Sequence, residues 1–266
     1  MKRSSLIHAA MGLALVGLAA CNDATNPVSQ VISDVQLNSD VVTTSGDAIA
    51  NYVGEFIINE AFAGLPASVA PSFDLFGSPP GVTVTRSRTC FDAQGQQQAQ
   101  CDPITTASVL LTMTIDGSFT RVVQTPAGAT DTLTASIHRA RSLTISGLAG
   151  TETSRTHNGT GSSNDTTVFK NATLMRTMTE ASLDSVQNVV FNLPHASNPW
   201  PVSGKIVRSV SGKVVVVGGE HSGERSFTRR IEVDFPADAQ GNVVIKINDK
   251  TCNLNLVTHR VTNCST

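Results

Sequence analysis

The stretch that decides the fold is Thr132-Leu-Thr-Ala-Ser-Ile-His-Arg-Ala-Arg-Ser-Leu-Thr-Ile-Ser146. Leu133, Ala135, Ile137, Arg139, Arg141, Leu143 and Ile145 fall on one side of a two-residue repeat, and Thr, Ser, His and Ala on the other. A period of two is that of a strand with one face turned to a core, and Thr, Val and Ile suit a pleated surface. The same period recurs outward along the chain. Val82, Val84, Arg86 and Arg88 share a face, as do Val168, Lys170, Ala172, Leu174, Arg176 and Met178. Phe227, Arg229, Ile231, Val233 and Phe235 form another set, and Val243, Ile245 and Ile247 a shorter one. Turn chemistry separates these runs at Asp116-Gly117, Pro126-Ala127-Gly128, Asn158-Gly159, Ser211-Gly212, Gly218-Gly219 and Gly241-Asn242. The expected fold is mainly β: a large antiparallel meander, curved into a roll or partial barrel because the strands are long.

One segment has a helical period. Ile49, Val53, Phe56, Ile57, Ala61 and Phe62 recur at spacings of three and four. Thr44 or Ser45 suits the cap, Asp47 the first turn, and Gly64 with Pro66 the stop. Residues 22 to about 45 are rich in Asn, Ser, Thr and Asp and read as a tether. The domain plan is therefore a leader over 1–20, a tether over 21–45 and a single β-rich domain over 46–266.

The chain opens with Lys2 and Arg3, an apolar run from Leu6 to Leu18, and small residues Ala19 and Ala20. That is the layout of an export signal, and the run is too short to span a bilayer. Leu18-Ala19-Ala20-Cys21 resembles the lipobox of bacterial lipoproteins. The resemblance covers the first 21 residues and implies cleavage before Cys21, a diacylglyceryl thioether on its sulfur and membrane attachment through lipid. Asn22, where an Asp tends to retain such proteins at the inner membrane, favours the outer membrane. Two or more acyl chains anchor stably where one does not.

Loss of residues 1–20 leaves 246 residues, with 17 basic against 21 acidic side chains and a net charge of −4. With no block of Lys or Arg, nucleic acid is not an expected partner. One Trp and one Tyr are few for stacking sugars or for the aromatic girdles of an outer-membrane barrel. With Cys21 lipidated, four cysteines remain. Proximity favours Cys90 with Cys101 and Cys252 with Cys264, and neither spacing suits a zinc site.

No motif announces catalysis, a metal or a cofactor. Gly159-Thr-Gly-Ser-Ser163 lacks the spacing of a nucleophile elbow and reads as a hairpin loop, and Gly212-Lys213-Val214 is not a phosphate loop. Glu220, His221 and Glu224 offer acid–base or ligand chemistry but sit where a polar turn is needed. His138, His157, His195 and His259 are scattered without ligand spacing. Arginines interrupt the apolar face of several strands. Arg139, Arg141 and Arg176 would either cover sheet ends or line a concave face for an anionic or amphipathic ligand, since guanidinium forks pair with carboxylate and phosphate. Trp200, in the Pro-rich break Pro194–Pro201, would plug the core or offer a ligand platform. The functional expectation is a membrane-anchored envelope lipoprotein with a binding or structural role. The alternatives are a carrier on the concave face and a hydrolase with a spatially assembled site.

Overall fold

The structure, a computed structural model, describes residues 32, 34–65, 81–124, 130–148, 150–171, 173–218 and 222–264. Cys21, the lipobox, Glu220 and His221 lie outside them. The elements run in the order α1 (Asp34–Phe62), β1 (Val82–Phe91), β2 (Gln97–Gln98), β3 (Ser108–Gln124), β4 (Thr130–Ser146), β5 (Ser154–Lys170) and β6 (Met175–Asn192), followed by β7 (Ser203–Val217), β8 (Gly223–Asp234), β9 (Asn242–Ile247), β10 (Lys250–Asn255) and β11 (Arg260–Thr262). All strands join one antiparallel sheet in the order β11-β10-β9-β8-β7-β6-β5-β4-β3-β1-β2, a meander whose end strands do not pair into a barrel.

Each long strand presents its apolar set to one side, as the alternation predicts. On β4, Leu133, Ala135, Ile137, Arg141, Leu143 and Ile145 are buried, while Thr132, Thr134, Ser136 and His138 are exposed. On β8 and just beyond it, Phe227, Ile231, Val233 and Phe235 are buried.

Three turn expectations are corrected. Asp116-Gly117, Asn158-Gly159 and Ser211-Gly212 lie inside β3, β5 and β7. Gly159–Ser163 is likewise mid-strand rather than a loop, with a register shift between His157 and Gly159. Glycine in a strand also marks bulges and close approaches. At Gly161, for instance, an added Cβ would lie 2.3 Å from the Tyr52 hydroxyl. Conversely, Val168–Met178 is not one face. A turn at Asn171–Leu174, held by the Asn171 side chain accepting from the Thr173 and Leu174 amides, divides it between β5 and β6.

The helix is the larger correction. It begins at Asp34, so Thr44 and Ser45 are interior residues and the stretch 34–45, expected in the tether, belongs to the folded body. Leu37, Asp40 and Val41 are fully buried. At 29 residues α1 is roughly 43 Å long, comparable to strands of 15–18 residues at roughly 50–60 Å. It runs the length of the sheet and is buried on most of its circumference, from Ile49, Val53, Phe56 and Ile57 to Val42, Ala50 and Tyr52. Its buried residues include carboxylates and hydroxyls as well as apolar side chains, among them Asp40, Ser45 and Glu60, and the sheet curls about it. Gly46 sits under Val261 and Leu254, close enough that a Cβ would meet Val261 at 2.8 Å. At its end, Gly64 adopts a positive φ of 74°, with Leu65 N–H donating to Glu60 C=O and Gly64 N–H to Ala61 C=O, a glycine-terminated cap. Arg88 of β1 donates to Phe62 C=O at 2.7 Å, bringing a cation to a helix terminus that has no basic residue of its own.

Cysteine pairing follows the sequence expectation. Cys90 and Cys101 are joined, as are Cys252 and Cys264, with Cα separations of 5.3 and 4.0 Å.

Candidate functional site

The concave side of the sheet is where candidate chemistry collects. Helix α1 carries Asp34, Asp40, Asp47, Glu55 and Glu60 and neither Lys nor Arg, while the facing strands supply the arginines. From Asp40 onward they meet in clusters along the helix axis.

Near the helix start, Arg176 of β6 donates to both oxygens of Asp40, at 2.7 and 3.0 Å, and to Asp131 of β4. Its guanidinium carbon lies 5.3 Å from the Phe169 ring centroid. Two turns on, Asp47 takes Arg121 of β3 at 2.8 Å and His259, just before β11, at 2.7 Å. A single helix carboxylate thus ties together two flanks of the sheet. Burial pushes the Asp47 carboxyl up, but the His259 hydrogen bond and the charges of Arg121 and His259 outweigh it and hold the group below its usual range.

Mid-helix, Arg208 of β7 binds both oxygens of Asp184, at 2.9 and 3.1 Å, and reaches Glu180 at 3.2 Å and Ser163 at 3.3 Å. Burial raises the Glu180 carboxyl, Arg208 pulls against it, and the nearby charge of Asp165 adds to the rise. Arg139 places Nε and Nη2 on Asp165 at 3.1 and 2.9 Å. Arg141 pairs with Glu55 and stacks over Tyr52, 3.4 Å from the ring centroid.

At the helix C-terminal end, Glu60 is fully enclosed. His157 meets one oxygen at 2.9 Å; His195 and Arg155 meet the other at 2.7 and 2.6 Å. Glu152 binds the far side of Arg155 at 2.8 Å. Burial raises the Glu60 carboxyl, yet the hydrogen bonds and charges of both histidines hold it far below the ordinary carboxylate range. An ionised carboxylate accepts, so each imidazole presents Nε2–H to it. Both Nδ1 atoms are then buried without a hydrogen-bond partner among the described residues, next to the rings of Phe56 and Phe191.

Arg139, Arg141 and Arg176 therefore do face the concave interior, but each is paired with a carboxylate of the same chain. Trp200 is elsewhere, half-buried in the β6–β7 connection and against Gly241, whose added Cβ would meet the indole at 2.7 Å. The structure does not bring it to the arginines. Glu224 is exposed and paired with Lys213 at 3.0 Å. His138 lies on the outer face and pairs with Asp116.

Sequence reasoning missed the acids. Asp40 lay in the supposed tether, and Glu60 beside Ala61 and Phe62 drew no notice. The available signal was parity: Arg155 and His157 share the strand side of Asp165 and Phe169. Chemically the interior is self-neutralising. The cavity bordered by Tyr52, Glu55, Arg141 and Thr160 has about 10 Å³, room for one water at most. Among the described residues no group of three or more His, Cys, Asp or Glu is placed to hold a metal ion. Comparison of the chain with protein-family models, with curated proteins and with solved structures finds no match in any of the three.

Proposed function

We propose that this chain is a lipid-anchored protein of the bacterial cell envelope, held through acyl chains on Cys21, favouring the outer membrane, and acting by binding or structural support. The observation that carries the second half is the occupancy of the concave face. Helix α1 fills it, and its carboxylates engage the guanidinium groups that a ligand would otherwise use. A sheet that has already enclosed its own acidic helix offers partners its outer face and its loops. The four cysteines, joined in two pairs, are in keeping with an oxidising compartment.

The test is mass spectrometry of the protein extracted from membranes. The expected result is an intact mass beginning at Cys21 with its acyl chains, and no stoichiometric small molecule in the organic extract. A mature product without acyl chains would overturn the anchor. A stoichiometric anionic amphipath would replace the binding or structural role with the carrier reading.

A further inference from the structure

We infer that the outer face of the sheet, at the end where α1 begins, is a docking surface for a lipid bilayer; this rests on the lipid-anchor reading above. Val122, Thr132, Lys170, Met175 and Val217 are direct cross-strand partners in succession on β3 to β7, so they form one continuous row. All five are exposed, the three apolar members by 71%, 37% and 53% for Val122, Met175 and Val217. In the adjacent row Val168 and Val215 are half-buried on the same face, and Glu224, the next member, is neutralised by Lys213. The row spans roughly 19 Å at the usual strand spacing. Lys170 stands in its middle, where a long stem and a cationic head suit anionic headgroups.

Elsewhere the outer face of β3 to β6 is dominated by Ser and Thr, as in Thr112, Thr114, Ser136, Ser162 and Thr179. Leu183 stands alone there, and Ile104 and Val257 are single residues in other segments. Isolated exposed apolar residues are ordinary, whereas an aligned set is not.

The occupant follows from where the chain outside the structure ends. Ile32 is held at this same end, its carbonyl accepting from Arg225 of β8 at 3.1 Å. Ten residues separate it from Cys21, a reach of at most roughly 35–40 Å. Strands of 17 residues are roughly 55 Å long. An anchor on that leash keeps this end, rather than the far one, against the membrane.

The native protein carries its own control, because its only Trp, Trp200, lies at the opposite end. The mature acylated protein is reconstituted in phosphatidylethanolamine–phosphatidylglycerol vesicles containing brominated phosphatidylcholine. The fluorescence of Trp200 should be unchanged, while a Val217→Trp, Trp200→Phe protein should lose at least half of its emission. On the unsubstituted protein, a membrane-impermeant amine reagent should label Lys170 at least five-fold more slowly on vesicles than in detergent, with Lys250 unchanged. Acylated protein that floats with the vesicles but shows neither effect would overturn the docking surface and leave the anchor standing. Protein without acyl chains would overturn the anchor, and the docking surface with it. Protection of Lys170 that rises with protein concentration in the absence of vesicles would overturn it in favour of self-association.

Discussion

Gly161 of β5 lies against Tyr52 of the helix. The Tyr52 hydroxyl is buried with no hydrogen-bond partner among the described residues, and a Cβ on Gly161 would intrude on it at 2.3 Å. Gly161→Ala is expected to cost about 1–3 kcal/mol through overpacking. Tyr52→Phe should be neutral or slightly stabilising, since it removes an unsatisfied buried hydroxyl. The double variant should recover most of the loss, a coupling that urea denaturation of the four proteins would reveal; simple additivity would contradict the contact. The buried carboxylates separate by sign. Glu60 is held far below its ordinary value of 4.5, so its contribution is complete above that pH and disappears as pH falls from there toward its folded value. Glu180 is raised, so its contribution runs the other way, declining as pH climbs from 4.5 to its folded value. At pH 7, Glu60→Gln should cost about 3–5 kcal/mol by leaving buried partners uncompensated, and it should flatten the acid limb of stability against pH. Glu180→Gln should change stability by no more than about 1 kcal/mol, because Arg208 keeps both oxygens of Asp184. Equal losses in the two variants would refute this assignment.

The elements show what a one-dimensional pattern can and cannot reveal. Alternation along Leu133–Ile145 and Phe227–Phe235 identified the inward faces because one side of each strand touches a core and the other touches water. The helix stripe from Ile49 to Ile57 was legible for the same reason. Residues 34–45 were not, since Asn38, Ser39, Asp40, Thr43, Thr44 and Ser45 look like a solvated linker until the sheet around them is known. Three of them find partners inside the fold, Asp40 in Arg176, Thr44 in Glu180 and Asn38 in Arg229, while the hydroxyls of Ser39 and Ser45 are buried with no hydrogen-bond partner among the described residues. A helix bedded in a polar-and-apolar interior has no single apolar stripe to display. Glycines misled in a related way, because a strand glycine in contact with another element has the same sequence appearance as a turn. A chain starting at residue 31 should fold to a cooperative β-rich state by circular dichroism, whereas one starting at residue 46 should not. If the shorter chain melted at the same temperature, the first three turns of α1 would be dispensable and residues 34–45 would be no part of the folding unit.

At the scale of the whole molecule the meander leaves two margins. At one, β2 has two residues and covers only Cys90 and Phe91 of β1; at the other, β11 has three and covers Asn253–Asn255 of β10. Both sit within loops closed by a disulfide, Cys90–Cys101 on the first side and Cys252–Cys264 on the second. A sheet that never closes on itself exposes unpaired amides and carbonyls to any passing strand, and short terminal strands are one way of denying that template. Bridges spanning 11 and 12 residues are each worth up to about 3 kcal/mol in the chain-entropy account, enough to keep such small strands from fraying. Reduction under native conditions should therefore do more than lower the melting temperature. Light scattering should rise with time as freed margins recruit neighbouring molecules, and Cys90→Ser or Cys252→Ser alone should reproduce part of the effect; reduced protein that stays monomeric would argue against it. The two disulfides then act as guards against polymerisation at the corners of the sheet that β2 and β11 cover.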